Sequence, residues 1–312
     1  MLSAFSLLHL SVFSCPLHFD IIQHVIAGDE PAKKGAHMHF TKMEGLGNDY
    51  IYVNLQKETV EDPVLLAKRI SDRHFGVGSD GLVLIGSSRI ADLRMIMYNM
   101  DGSRGKMCGN AARCIGKYAY EMGLTNKTEI SLETDSGIKH LKLQVKNNQV
   151  EMINVDMGCP EFTPSNIPCT FDGNWNQTIK AGDHVFMANV LSMGNPHAVI
   201  FLDTPVESFD VALYGAAIER SPEFPEGVNV EFVNVLSETS VRMRVWERGS
   251  GITLACGTGA CATAVAAIHH GFCKREMSVE LDGGSLAIEW KSDGHVWMQG
   301  PARFICEGEY EL

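Results

Sequence analysis

The chain lacks any CxxC pair, although nine cysteines are scattered over its 312 residues. Secreted disulfide frameworks show dense, paired spacing, and structural zinc sites usually carry a tight CxxC-type pair. Neither fits here, and the odd count points to free thiols in a reducing compartment. Basic residues are in deficit, 26 Lys and Arg against 38 Asp and Glu, for a formal charge of −12. That balance argues against a nucleic-acid partner, whose phosphates are bound largely through Lys and Arg. Long apolar runs are missing too. The stretch 2–17 is fairly apolar but is broken by Ser, His and Pro, so it does not read as a membrane span. It also has no positive n-region, the first basic residue being Lys33, so it does not read as a secretory signal. Residues 1–37 are read as an extension, with the folded part opening at Met38. What remains is an ordinary globular mixture, 45% hydrophobic and 21% charged, of about two-domain length.

The chain is written twice. Arg94–Asn99 precedes Cys108 by the same distance that Arg242–Glu247 precedes Cys256, an offset of 148 residues. Each cysteine is followed by glycine (Gly109, Gly257) and then an Ala-rich segment ending at Gly123 or Gly271. Gly47-Asn48 matches Gly194-Asn195, and Ser131–Glu133 with Asp135 and Gly137 matches Ser278–Glu280 with Asp282 and Gly284. Four blocks in one order mark an internal repeat.

Each copy reads as mixed α and β. Short runs rich in Val, Ile and Tyr between Gly, Asp and Asn predict strands: Tyr50–Asn54, Leu82–Ile85, Leu93–Tyr98, Glu129–Thr134 and Leu141–Val145, then Ala198–Leu202, Val241–Glu247, Ser278–Leu281 and Leu286–Trp290. Helices are expected over Asn110–Met122 and Thr258–His269. In the first, Ala111, Ile115, Tyr118 and Met122 make one stripe, and Arg113, Lys117 and Glu121 the polar one. The second is small or apolar nearly throughout, as in a helix buried on all sides. Gly123 and Gly271 stand where helix stops are expected.

In both copies, then, Cys-Gly stands at a helix start. The first-turn amides there are unpaired and the dipole adds roughly half a positive charge, so a depressed thiol pKa is expected. The same amides can hold a carboxylate. Two such cysteines on facing copies suit inversion of a carbon stereocentre, one thiolate removing a proton while one thiol delivers another to the opposite face. An amino acid is the natural substrate, since its Cα–H lies beside a carboxylate into which carbanion charge can flow. Zinc at Cys108, Cys114, Cys256 and Cys261 is disfavoured by gaps of five and four residues with no neighbouring His. Gly257–Ala262 fits a dinucleotide-binding pattern, but it follows its strand at a distance and lacks the second glycine in the first copy, where Ala111 stands. Cys15, Cys159, Cys169, Cys273 and Cys306 have no repeat partner and read as buried packing cysteines, as do Cys114 and Cys261.

The matching stretches FTKMEGLGND (40–49), YNMDGS (98–103), MCGNAARC (107–114), SMGNPH (192–197), ERG (247–249) and ACGTGA (255–260) resemble diaminopimelate epimerases from Met38 to near the C-terminus. The resemblance implies an α+β (mixed α/β) fold of two pseudo-symmetric duplicated domains, each a curved sheet wrapped around a central helix, with the active-site cleft between them. The domains would span 38–155, with the C-terminal strand 301–312 returning to it, and 156–300. It also implies interconversion of L,L- and meso-diaminopimelate without cofactor or metal, on the route to lysine and peptidoglycan, by a cytoplasmic homodimer with neither nucleic-acid nor membrane partner.

By the same resemblance, Cys108 and Cys256 would be the acid/base thiols, Cys108 acting as base toward the L,L isomer, with His197 and Glu247 tuning them. Gly109, Asn110, Gly257 and Thr258 would offer helix-start groups to the reacting carboxylate. Asn48, Asn99, Asn195, Asn229 and Arg248 would hold the substrate, Asn99, Asn229 and Arg248 at its distal carboxylate, while Glu247 would also accept from a substrate ammonium. One departure stands out. Some members carry a substrate-contacting Gln where this chain has Gly81, so that contact must be absent or supplied otherwise. The rival readings are a proline or hydroxyproline racemase, for which Asn99, Asn229, Glu247 and Arg248 provide more polarity than the substrate needs, and a non-catalytic amino-acid binder, which would not need both thiols.

Overall fold

A computed structural model of the chain describes Gly35 and residues 37–312, so the extension 1–37 lies almost wholly outside the described residues, as does Cys15. Residues Met38–Tyr310 form one body. Its first half runs β1 (His37–Gly45), β2 (Asn48–Asn54), α1 (Pro63–Ser71), β3 (Gly81–Gly86), β4 (Leu93–Asn99), β5 (Arg104–Gly105), α2 (Gly109–Glu121), β6 (Glu129–Thr134), β7 (Gly137–Lys146) and β8 (Gln149–Gly158). After β9 (Gln177–Ala181), the same series returns as β10 (His184–Ser192), β11 (Pro196–Phe201), α3 (Val211–Glu219), β12 (Asn229–Ser237), β13 (Ser240–Glu247), β14 (Gly251–Thr253), α4 (Gly257–His269), β15 (Glu276–Leu281), β16 (Gly284–Trp290) and β17 (Val296–Gly300), followed by β18 (Arg303–Glu311).

The duplication is explicit in strand pairing. From β1 to β8 the ladder reads antiparallel β1–β2, parallel β2–β3, antiparallel β3–β4, parallel β4–β6, then antiparallel β6–β7 and β7–β8. From β10 to β17 the same orientations recur in the same order. The two halves are stitched by antiparallel pairing of β8 with β17. Two further strands extend the ladder: β9 pairs with β10, and β18, following the second half, pairs with β1 of the first.

α2 packs on β7 and β8 and α4 on β11, β12 and β15–β17, and the two helices touch. Small residues permit this close wrapping: a Cβ on Gly116 of α2 would stand 3.0 Å from Leu143 Cδ2. Both helices end as expected at glycines with positive φ, 76° at Gly123 and 72° at Gly271, a region that favours glycine. α1 and α3 start by the same device, Asp62 and Asp210 accepting bonds from the Leu65 and Leu213 amides at 2.9 and 3.0 Å.

Two expectations fail here. Arg113, placed by periodicity on the polar stripe of α2, is 0% exposed. The contact between α2 and α4 and the β17–β18 junction cover that side of the helix as well. Cys159 and Cys306, read as packing residues, are exposed, and Cys169 is only half-buried. Cys114, Cys261 and Cys273 are buried. No helix among the described residues is long and apolar enough to cross a membrane.

Candidate active site

The local sequence places both repeated cysteines at helix N-caps, in extended conformation: Cys108 at φ −135°, ψ 123° before α2, and Cys256 at φ −113°, ψ 111° before α4. The glycines that follow bring the two starts together. Gly109 Cα lies 3.9 Å from where a Cβ on Gly257 would sit, and Met298 of β17 fills the space beneath, 2.7 and 3.0 Å from the two would-be Cβ positions. The free amides and positive dipole ends of two helices therefore converge on one spot, an arrangement suited to an anion.

The thiols differ in surroundings. Cys108 Sγ donates to Asn48 Oδ1 at 3.4 Å. Cys256 Sγ accepts from the Gly259 amide at 3.3 Å and lies 3.5 Å from Thr258 Oγ1. The expected depression of the thiol pKa is not what folding delivers. Burial pushes the Cys108 thiol up, Glu247 adds to this, and the Ala111 and Asn110 amides and Arg113 oppose it. Cys256 is pushed well above the usual thiol range by burial and then by Glu247 and Glu231, against the pull of Thr258 and the Gly259 amide. Desolvation of the charged form outweighs the helix start in both copies. Cys114 and Cys261, driven by burial to about 12, are inert packing residues.

Asn110 ties the cysteine loops together. Its amide donates at 3.2 Å both to Asn48 Oδ1, which faces Cys108, and to the Ala255 carbonyl next to Cys256. Asn48 is anchored in turn by its own amide to Asp80 Oδ2 at 2.6 Å. Arg73 bridges Asp80 and Asp49 at 2.8 and 2.9 Å, and Lys42 reaches Asp49 at 2.9 Å. Burial pushes the Asp49 carboxyl up, but bonds from Arg73 and Lys42 hold it below the usual range.

In the second half, His197 is fully buried between Glu231 Oε1, 2.7 Å from Nδ1, and Asn195 Oδ1, 3.0 Å from Nε2. Glu231 is likewise 0% exposed, and its second oxygen has no partner among the described residues. Glu247 accepts a bond from Thr253 Oγ1. Burial raises its carboxyl, with Thr253 and His197 opposing and Glu231 reinforcing. Asn229 donates to the Pro196 carbonyl at 2.9 Å and accepts from the Arg248 amide at 3.0 Å. The Arg248 side chain is exposed and donates to the Glu226 carbonyl at 3.0 Å. Asn99 is half-buried and bonded to Ser103 Oγ at 2.9 Å.

Gly81 has no room for a side chain, since a Cβ there would stand 2.1 Å from the Tyr98 carbonyl and 3.0 Å from Tyr50 Cε1. Tyr50 lies two residues after Asn48 on β2. Burial and then the charges at Cys108, Asp80 and Glu247 push its phenol well above its ordinary range, keeping it a donor.

Sequence reading missed Glu231, Asp80, Tyr50 and Arg113. Glu231 did leave a signal: it is the single charge in the otherwise apolar or amide run 228–235. Among the described residues no group of three His, Cys, Asp or Glu side chains could hold a metal ion.

The model of the family described as diaminopimelate epimerase matches residues 40–163 and 189–305. A diaminopimelate epimerase of Acetivibrio thermocellus is 51% identical over 278 residues, 88% of this chain and 99% of that one. One from Phocaeicola vulgatus is 52% identical over 275 residues, 88% and 98%. The chain belongs to the diaminopimelate epimerase family. Among solved structures, a probable proline racemase from Agrobacterium radiobacter superposes with a TM-score of 0.68 at 14% identity, over 88% of this chain and 93% of that one. A hydroxyproline epimerase from Agrobacterium vitis gives 0.67, also at 14%. These likenesses establish the duplicated racemase fold for this diaminopimelate epimerase family member. Two of the motifs that carry the family resemblance, 107–114 and 255–260, hold the two cysteines and their helix starts.

Proposed function

We propose that the protein interconverts L,L- and meso-2,6-diaminopimelate by a two-thiol mechanism without a cofactor. The reading is carried by one observation: a pair of N-cap cysteines at abutting helix starts, in a chain about half identical to diaminopimelate epimerases over nearly their whole length. The reacting carboxylate binds at the converged amides of Gly109, Asn110, Gly257 and Thr258. The Cys108 thiolate takes the Cα proton, and the electron pair is delocalised into the carboxylate facing both helix starts. The Cys256 thiol then gives its proton to the opposite face of Cα. One proton has left carbon and one has arrived, so Cys108 ends as thiol and Cys256 as thiolate. Preorganised donors of this kind each stabilise a developing charge by about 3 kcal/mol.

The asymmetry supports Cys108 as the base. Glu231 and Glu247 both favour the protonated form of Cys256, whereas at Cys108 the influence of Glu247 is opposed by Arg113. His197 and Glu247 tune the thiols. Asn48 and Asn195 orient the near end of the substrate, and Asn99, Asn229 and Arg248 the far carboxylate, with Glu247 also accepting from an ammonium. No side chain at Gly81 contributes. We read the domains as 38–155 with 301–312, and 156–300, supported by the pairing of β18 with β1. We also read the protein as a cytoplasmic homodimer.

Purified protein in D₂O is expected to incorporate solvent deuterium at Cα of diaminopimelate while changing its configuration. Cys108→Ala and Cys256→Ala should each lower epimerisation by about 10²–10⁴-fold, the range for a general acid or base. Labelling of proline and not of diaminopimelate would instead establish the racemase reading. Absence of labelling with any amino acid would establish a binder.

A further inference from the structure

Arg113 has surroundings that fit neither a surface helix residue nor an ion pair. It is 0% exposed, and no carboxylate among the described residues pairs with it. Its contacts are all neutral: Asn110 Oδ1 at 2.9 Å, the Pro301 carbonyl at 3.1 Å and the Met298 sulfur at 3.7 Å. Two glycines make the space for it. A Cβ on Gly45 would stand 3.0 Å from Nη2, and one on Gly300 3.1 Å from Nε. A buried charge without a countercharge is strongly unfavourable, so its retention calls for an anion that the site itself supplies.

The candidates are few. Burial pulls the Arg113 guanidinium down, and Cys114, Cys108, Tyr52 and Cys261 are the groups whose negative charge would hold it up. Cys114 and Cys261 are pushed to about 12 and Tyr52 well above its ordinary range, so these three stay neutral. Cys108 remains. The duplication points the same way, because the position 148 residues on is Cys261, and only the first half carries the cation. The other titratable groups facing Cys108 are Glu247 of β13 and Tyr50 and Tyr52 of β2.

We propose that Arg113 is a positioning residue, its unpaired charge serving as the buried counterion of the Cys108 thiolate and its grip on Asn110 holding the two cysteine loops in register. The proposal rests on the two-thiol reading above. The relay is continuous: Arg113 holds the oxygen of the Asn110 amide, whose nitrogen reaches the Cys108 partner Asn48 and the neighbour of Cys256. No proton passes through Arg113. The Cys108 proton leaves to solvent, and the resulting thiolate forms with the Arg113 charge already in place behind Asn110 and Asn48.

The test compares wild type with Arg113→Met and Arg113→Lys, following iodoacetamide alkylation of Cys108 by peptide mass spectrometry between pH 6 and 10, alongside kcat and KM. Arg113→Met is expected to alkylate Cys108 about tenfold more slowly at pH 8, reaching the wild-type rate at higher pH, because an adjacent opposite charge is worth at least about one pH unit. Arg113→Lys should stay within about threefold of wild type, and kcat should fall in Arg113→Met far more than KM rises. Superimposed alkylation profiles for wild type and Arg113→Met would overturn the proposal. Should Arg113→Met not fold, the Arg113 Nε–H NMR signal decides. It should shift with pH in wild type, in step with Cys108 alkylation, and stay flat in Cys108→Ala. The same pH dependence in both proteins would overturn it. Wild type inactive on diaminopimelate with displaced profiles would refute the substrate assignment alone.

Discussion

Adding one methyl group at Gly259 should damage the site more than any propensity gain can offset. Gly259 occupies the first turn of α4, and a Cβ there would lie 2.6 Å from Glu231 Oε1, 3.2 Å from Cys256 Sγ and 3.3 Å from Cys256 Cβ. Glu231 Oε1 is the atom bonded to His197 at 2.7 Å, and both side chains are fully buried. The carboxylate must therefore move, and the bond to His197 must lengthen or break. On helix propensity alone, Gly→Ala stabilises by roughly 0.5–1 kcal/mol. Against it stand overpacking of about 1–3 kcal/mol and loss of a charge-assisted bond worth about 1.5–3 kcal/mol. Gly259→Ala should thus lose about 2–5 kcal/mol by urea denaturation, and kcat should fall about 10–100-fold as the Cys256 sulfur is displaced. The double variant Gly259→Ala/Glu231→Ala removes the clash, so its loss should be smaller than the sum of the single losses by at least about 1 kcal/mol. Gly259→Ala with wild-type stability and kcat, or strict additivity in the double variant, would refute the close packing of Glu231 behind Cys256.

Installing a glutamine at position 81 should fail in this chain. Gly81→Gln is expected to destabilise by about 1–3 kcal/mol or more, because the Tyr98 carbonyl lies 2.1 Å from the new Cβ; a lower KM at unchanged Tm would contradict it. Asp92, bonded to Lys127 and to the Ser131 amide and hydroxyl, is held down at about 2 against 3.8. A depressed carboxyl stabilises the fold fully above its unfolded value and loses that stabilisation as pH falls through its folded value. Asp92→Asn should therefore be less stable than wild type at pH 6, with the difference shrinking between about pH 4 and pH 2. A difference that stays constant over that window would show that the charge is immaterial.

The elements that sequence pattern reaches are those whose information is local. Glu129–Thr134 is a strand with the expected bounds, and α2 and α4 begin and end within a residue of their expected positions, since apolar periodicity and a positive-φ glycine are properties of a few neighbours. α1 and α3, nine residues each, carry too little periodicity to stand out, although each is announced by an Asp cap. Strands such as β10 and β12 are buried on both faces over much of their length, so the alternation that would reveal them is missing. The same distinction divides the site. Cys108 and Cys256 are legible as a repeated pair, whereas Glu231, Asp80 and Arg113 gain meaning only from what surrounds them.

The sequence by itself determined that the chain is duplicated, that two of its cysteines are equivalent, and that both stand at helix starts. Only the tertiary structure decided what those cysteines experience. A helix start stabilises a thiolate through amides a few residues away, a local effect that sequence can express. Desolvation depends on everything packed around the sulfur, and it comes from the strands of both halves, many tens of residues distant. Folding therefore raised both thiols where the local pattern argued for lowering them, and it turned Arg113 from a surface residue into a buried charge.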